Sequence, residues 1–135
     1  MRLIDRLLQR RDLRWMNWFT RQVELAPTSG ERLLGLFNVL KDWFASDGFR
    51  GCAFINTSGE TGDPEDPVRQ VARQHKQKLL DFVLKLCTEH GVQDPQALAR
   101  QLLILIDGAI TVALITGNPD AADDAQSVAR TLLDL

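Results

Sequence analysis

The side chains that could carry out chemistry in this 135-residue chain are few, and they do not form a complete catalytic set. Cys52 and His75 could serve as a nucleophile and its base, but no third group that would orient the base accompanies them. The sequence has no glycine-rich phosphate loop, no CxxC pair and no HExxH motif, so nucleotide-binding, structural-zinc and zinc-protease sites lack their minimum ligands. We therefore expect a protein that is not an enzyme and that requires no metal ion or cofactor.

The two cysteines, Cys52 and Cys87, are too few for a disulfide scaffold. Cys52 lies in an apolar segment beside a glycine turn, where it is either a small buried hydrophobe or a redox-sensitive thiol. Cys87 falls near the apolar face of a predicted helix and is expected in the core. The first residues of the chain have no apolar stretch of the kind that a signal peptide needs, so we expect a cytoplasmic protein.

Two further polar residues lie in apolar surroundings, where a polar group requires a partner. His75 falls on the apolar face of a predicted helix, and Asp107 interrupts the most apolar segment of the chain. Each is either a structural residue with a satisfied partner or a ligand contact, and the sequence leaves both interpretations open.

Aromatic residues are concentrated in the first half of the chain, on neighbouring predicted helices beside a glycine-rich segment. Such a cluster is either a solid core or the wall of an apolar pocket with few polar groups, which is the usual composition of a small-molecule site. We predict a ligand site at this place. Its predicted lining is Trp15, Phe19, Phe37, Leu40, Phe54, Asn56, His75, Leu79 and Phe82.

The charge of the chain disfavours autonomous binding to nucleic acids. Lys and Arg number 16 against 18 Asp and Glu, which gives a net charge of -2 and no basic footprint for a phosphate backbone. The sequence does place Arg2, Arg6, Arg10 and Arg14 at every fourth position, along one side of a helix. This stripe is either a solvated face or a set of phosphate contacts, and it offers no reading of base edges.

Apolar residues recur at spacings of three, four and seven, which is the helical period, and no segment alternates with a period of two. Two Asp-Pro pairs and one Asn-Pro pair mark helix starts, and Thr28 with Glu31 forms a capping box. The sequence predicts a single all-α domain over residues 1–135, a bundle of five to six helices. The predicted helices cover residues 2–25, 29–46, 66–90, 95–117 and 119–134, with a short helix or irregular piece at 50–59.

Two of these helices have informative apolar faces. The predicted face of the first helix consists of Ile4, Leu7, Leu8, Trp15, Trp18, Phe19 and Val23. The helix at 95–117 is apolar almost all round, which indicates either a membrane span or a buried helix. Because Arg100 and Asp107 leave it an uncharged stretch shorter than the ~20 residues that a bilayer requires, we expect a helix covered by a partner and no membrane.

A series of short motifs runs in a specific order from residue 49 to the end of the chain. The motifs are Phe49-Arg-Gly51-Cys52-Ala-Phe54-Ile55-Asn56, Glu60, Pro67, His75, Gly91, Asp94-Pro95, Leu98-Ala99, Asp107-Gly108-Ala109, Ala113 and Gly117-Asn-Pro119-Asp-Ala121-Ala122. This order resembles the C-terminal regulatory domain of TetR-type transcriptional repressors.

The resemblance implies a domain that binds a small, often apolar effector and dimerises, and so controls DNA binding. The family's effector pocket corresponds here to residues 2–25, 29–46, 50–59 and 66–90. In that family a helix-turn-helix module at the N-terminus binds DNA, and we expect this sequence to lack it and to be a fragment or a shortened member. DNA would then be contacted only through that missing module.

The resemblance also implies a homodimer, because the family pairs its last two helices with those of a partner in a four-helix bundle. In this sequence small residues spaced by four favour close helix approach in the same two helices. The predicted interface residues are Ala109, Ala113, Gly117, Ala122, Ala125, Ala129 and Leu132. The alternative function is a free-standing helical binding protein, or a small enzyme, that uses the same cavity.

Overall fold

The computed structural model describes residues 2–135, apart from the side chains of Glu60 and Thr61. Within this range the chain forms six α-helices and no β-strand. The prediction of an all-α bundle is therefore confirmed, and the uncertain segment at 50–59 is a short helix. The helices are α1 (Leu3–Glu24), α2 (Ser29–Phe44), α3 (Ala53–Thr61), α4 (Pro67–His90), α5 (Pro95–Thr116) and α6 (Ala121–Leu133).

Local side-chain bonds fix three helix starts where the sequence predicts them. The bonds join the N–H of Glu31 to Thr28 Oγ1 (3.2 Å), the N–H of Val68 to Asp66 Oδ1 (2.9 Å) and the N–H of Ala97 to Asp94 Oδ1 (3.2 Å). Each bond satisfies one of the backbone donors that the first turn of a helix leaves unpaired. Helices α4 and α5 end at Gly91 and Gly117, which adopt the left-handed conformation with φ of 78° and 70°.

The two central helices of the bundle are α2 and α4. Helix α4 packs against α1, α2, α3 and α5, and α2 packs against α1, α4, α5 and α6. Helix α3 packs mainly on α4, so it is the most peripheral element. The largest fully buried side chains come from all the longer helices except α6 and include Phe19, Phe37, Leu40, Leu79 and Leu102.

The buried face of α1 differs from the predicted one. Ile4, Leu7 and Trp18 are exposed by 43%, 51% and 37%, so the prediction that they face the core is wrong. The buried positions are Asp5, Leu8, Asp12, Met16, Phe19 and Val23, a stripe at helical spacing that includes two carboxylates. Carboxylates can occupy core positions here because each has cationic or hydrogen-bonding partners, which offset the cost of desolvation.

Helix α5 is apolar on both its inner and its outer face. By length and composition it could cross a membrane, and 39% of its most apolar 18-residue stretch is buried within the bundle. The inner face packs on α2, α4 and α6. The outer face exposes Ile104 by 71%, Val112 by 51% and Ile115 by 78%.

Candidate functional site

A small cavity lies where α1, α2, α4 and α5 meet, and residues 51–54 at the start of α3 close it. Its volume is about 30 Å³, enough for a water molecule but not for an aromatic ring. The lining residues are Arg11, Trp15, Trp43, Gly51, Cys52, Ala53, Phe54, His75, Lys76, Leu79 and Ile110. The walls therefore combine aromatic and aliphatic side chains with a few polar groups.

Aromatic rings form a connected set around this cavity. Phe54 stacks on the imidazole of His75 with ring centroids 4.3 Å apart, and Trp15 meets the same imidazole edge-on at 5.8 Å. Trp15 also lies 5.3 Å from Trp43. The indole N–H of Trp15 is buried and has no hydrogen-bond acceptor among the described residues.

The segment that closes the cavity depends on Gly51. This residue has a φ of 80°, and a Cβ atom there would lie 2.6 Å from Leu114 Cδ2 on α5. Only glycine combines this conformation with so close an approach. Asn56 Nδ2 donates to the carbonyl oxygen of Arg50 at 3.0 Å and ties the start of α3 to the same turn.

A buried polar bridge joins α1 to α4 on one side of the cavity. His75 Nδ1 lies 2.6 Å from Asp12 Oδ1, and Lys78 Nζ donates to Asp12 Oδ2 at 2.7 Å. Burial lowers the pKa of His75, although the Asp12 bond acts in the opposite direction. In the neutral imidazole Nδ1–H donates to Asp12, which leaves Nε2 as an acceptor. His75 is therefore a buried residue with a satisfied hydrogen-bond partner, and its ring also lines the cavity.

Lys76 follows His75 and connects the cavity to α5. Its ammonium donates to Asp107 Oδ1 at 2.8 Å, and it also lies 3.5 Å from Cys52 Sγ. Asp107 is thus a paired carboxylate rather than an isolated buried charge. The other cysteine, Cys87, is in the core, where burial raises the pKa of its thiol to about 11 and keeps it protonated at pH 7.

A surface groove of about 540 Å³ lies beside the cavity, between α3 and α4. Phe54 and Lys76 line both spaces and therefore form the wall between them. The other groove residues are Ile55, Ser58, Arg69, Ala72, Arg73, Gln77, Leu80 and Leu103. Among the described side chains, no group of three His, Cys, Asp or Glu is placed to hold a metal ion.

The structure places the predicted ligand residues in three different environments. Trp15, Phe54, His75 and Leu79 line the cavity. Four others, Phe19, Phe37, Leu40 and Phe82, are core residues away from the cavity lining. Asn56 is exposed and bonds the backbone of Arg50.

Sequence reasoning did not select Arg11, Trp43, Lys76 or Ile110 as ligand residues, although all four line the cavity. Trp43 belongs to the aromatic cluster that the sequence shows. Lys76 is next to His75, and the available sequence signal was that Asp107, the single acidic residue of α5, requires a basic partner. Neither residue could be assigned to the cavity without knowing how α2 and α5 cross α4.

The predicted interface residues also separate into two groups. Ala109, Ala113, Ala122, Ala125 and Ala129 are between 0% and 8% exposed within the single subunit. Gly117 and Leu132 are exposed. The five alanines therefore face the core of the bundle, where α5 packs against α6, and most exposed apolar residues of these two helices were not among the predicted interface residues.

Comparisons with known proteins agree on one family. The family model described as "Tetracyclin repressor-like, C-terminal domain" matches residues 29–129. The HTH-type transcriptional regulator YjdC of Escherichia coli is 28% identical over 106 residues, which make up 78% of this chain and 56% of YjdC. YjdC of Shigella flexneri gives the same values. The chain thus spans little more than half the length of the curated relatives that it matches.

Solved structures give the same result. A TetR-family transcriptional regulator from Streptomyces coelicolor is similar with a TM-score of 0.84 and 29% identity, over 94% of this chain and 63% of that one. A structure assigned as a TetR transcriptional regulator from Streptomyces avermitilis has a TM-score of 0.80 and 25% identity, over 95% of this chain and 71% of that one.

Proposed function

The chain belongs to the TetR family of transcriptional regulators, whose C-terminal domain it matches, and from this premise we propose that it senses a small molecule and dimerises, and thereby controls DNA binding. The relatives are transcriptional regulators. For this chain we therefore propose a regulatory role in the cytoplasm rather than a catalytic one.

The observation that carries the sensing proposal is the aromatic cavity beside α3. Few polar groups in an apolar, ring-lined space are typical of small-molecule sites. A volume of about 30 Å³ requires the cavity to open before an aromatic molecule enters. Helix α3 is the element suited to this movement, because it packs mainly on α4 and is bounded by Gly51 and Gly62, both with positive φ.

The dimerisation proposal rests on the outward faces of the last two helices. Helix α5 exposes Ile104, Val112 and Ile115, which lie eight and three residues apart on one side, and Gly108, midway between Ile104 and Val112, is also exposed. Helix α6 exposes Val128 and Leu132. Contiguous exposed apolar surface of this kind marks an interaction site, and a two-fold partner would cover the same face on both subunits.

We therefore propose that the interface uses these outward residues, Leu132 among them, together with Gly117, while the buried alanines set the packing of α5 on α6. Small inward residues let α6 lie close to α5 and present both apolar stripes to a partner. A biological contact of this kind should bury at least ~1,000 Å².

Ile115→Arg tests the dimer. The wild-type chain is expected to sediment as a dimer at low micromolar concentration, and Ile115→Arg as a monomer, because the variant places a charge in an apolar seam. Leu13→Arg is the matched control, since Leu13 is 55% exposed on α1, away from α5 and α6. Dimeric Ile115→Arg would show that the proposed face is not the interface.

Thermal unfolding in the presence of a panel of aromatic compounds tests the sensor. A ligand at a hundred times its Kd should add about 2.7 kcal/mol to the free energy of unfolding and raise the Tm. If no compound in the panel stabilises the chain, the cavity is part of a solid core and the sensing proposal fails.

The chain itself is not expected to read DNA sequence. Its net charge is -2, and the exposed arginines of α1 offer phosphate contacts only. Any binding to a promoter fragment should therefore disappear at physiological salt. Sequence-selective retention of such a fragment at that salt concentration would contradict this part of the proposal.

A further inference from the structure

The charged groups around the candidate site are cationic. Arg11 and Lys76 line the cavity, and Arg69, Arg73 and Lys76 line the groove beside it. No described carboxylate lines either space. Asp107 already pairs with the lining residue Lys76, and Asp12, which bonds the lining residue His75, also pairs with Lys78. A space surrounded by one sign of charge attracts ligands of the opposite sign.

Lys76 stands at the point where a ligand would pass from the groove into the cavity, because it lines both. Its ammonium is held by Asp107 Oδ1 at 2.8 Å, and the two side chains are 23% and 26% exposed. An ion pair with this much solvent contact contributes little stability, so another carboxylate can take the place of Asp107 at small cost. In such an exchange a ligand's carboxylate replaces Asp107 as the partner of the Lys76 ammonium.

The remaining walls indicate the shape of the ligand. Trp15, Trp43 and Phe54 line the cavity, and a flat ring packs against aromatic side chains by stacked or edge-on contact. The buried indole N–H of Trp15 lacks an acceptor among the described residues, and an oxygen atom of a ligand would supply one.

We propose that the site takes an aromatic carboxylate, with its ring between Trp15 and Phe54 and its carboxylate in place of Asp107 on the ammonium of Lys76. The inference rests on the proposed sensing function and specifies the ligand class. Helix α3 moves outward with Phe54 to enlarge the cavity, and Arg69 and Arg73 attract the anion to the groove.

Calorimetric titration of the full chain with 1-naphthoate tests the proposal, at neutral pH and physiological salt. Two compounds separate the contributions of charge and ring. The first, 1-naphthamide, has nearly the same shape without the charge and should bind about ten-fold more weakly, since hydrogen bonds to charged groups are stronger than neutral ones. The second, octanoate, has the charge without the ring and should also bind more weakly.

Variants of the Lys76–Asp107 ion pair provide a second test of the carboxylate contact. Lys76→Gln should weaken 1-naphthoate binding about ten-fold and 1-naphthamide binding by a smaller factor, because the amide oxygen can accept from the ammonium but forms no ion pair with it. Asp107→Asn should tighten 1-naphthoate binding by up to about five-fold, since it removes the internal competitor for the ammonium. Lys85→Gln, the same change on an exposed lysine further along α4, is the matched control and should bind like the wild type.

The outcomes distinguish this inference from the proposed function. If 1-naphthamide binds as well as 1-naphthoate, or if Lys76→Gln leaves 1-naphthoate binding unchanged, the carboxylate contact is wrong and the sensing function stands. If octanoate binds as well as 1-naphthoate, the requirement for an aromatic ring is wrong. Failure of all three compounds to bind overturns the inference. The sensing function fails only if the wider aromatic panel also gives no stabilisation.

Discussion

Charge is buried where α1 meets α4, whereas α5 and α6 meet through small apolar side chains. In the first region Asp12 and His75 are 2% and 5% exposed, and the hydrogen bond between them joins the two helices. In the second region Ala113 and Ala129 are 3% and 0% exposed and leave no polar group to satisfy.

The two kinds of contact respond to different perturbations. A hydrogen-bonded pair depends on protonation and on the direction of its bonds, so a ligand or a change of pH can act on it. A contact made by alanines does not titrate, but it has no room for a larger side chain because protein interiors are close-packed. The region around the cavity is therefore suited to sensing, and the α5–α6 pair to holding a fixed platform for a partner.

Ala113→Arg should produce the largest effect, because it puts volume and an unpaired charge into the alanine contact. We expect the free energy of unfolding to fall by at least about 3 kcal/mol in urea titrations. Gln101→Arg, an exposed position on the same helix, should stay within about 0.5 kcal/mol of the wild type. Wild-type stability in Ala113→Arg would show that this side chain points away from the core.

Phe82→Ala should have the next largest effect, and it tests whether Phe82 belongs to the core or to the cavity wall. Phe82 is 8% exposed, packs edge-on to Phe19 at 6.3 Å and does not line the cavity. Its truncation should cost about 3–5 kcal/mol of stability in urea titrations and leave the affinity for a cavity ligand unchanged. A small loss of stability together with a large loss of affinity would instead place the ligand beside Phe82.

The pH dependence of stability should be the smallest effect, and it belongs to the charged region alone. Burial lowers the pKa of His75 below its ordinary value of 6.5, with Asp12, Asp107 and Lys76 as the charged groups that act on it. Below that pH the unfolded chain binds a proton that the folded chain does not, so stability is full above about pH 6.5 and falls as the pH decreases towards the folded pKa.

Urea titrations between neutral and mildly acidic pH measure this loss, which cannot exceed about 1.4 kcal/mol per pH unit. His75→Gln is the reference, because it cannot titrate while its side-chain amide can still donate to Asp12. If the wild type and His75→Gln lose stability in parallel, the pH dependence arises elsewhere and His75 does not distinguish the two regions.

Features that depend on neighbouring residues were predictable from the sequence. The caps at Thr28, Asp66 and Asp94 and the ends at Gly91 and Gly117 were all placed correctly. These features involve bonds and backbone conformations within a few residues, so the order of amino acids specifies them directly.

Most residues of the candidate site were not predictable in this way. Trp15, Phe54, His75 and Leu79 were identified as an aromatic cluster with one polar group, but the same reasoning included core residues such as Phe82. A helical pattern identifies which residues are buried, but it does not distinguish a solid core from a cavity wall. That distinction depends on how several helices cross.

By itself, the sequence determined the five longer helices, their ends and the near-continuous apolar character of α5, because periodicity and capping act over a few residues. Only the tertiary structure decided that Asp12 replaces a hydrophobe in the core of α1, since its partner His75 lies 63 positions away in the chain. It likewise decided that the alanines of α5 and α6 face inward and that Ile104 and Ile115 face outward. Burial depends on which helices lie on each side, and a helix that is apolar all round carries no local signal of that choice.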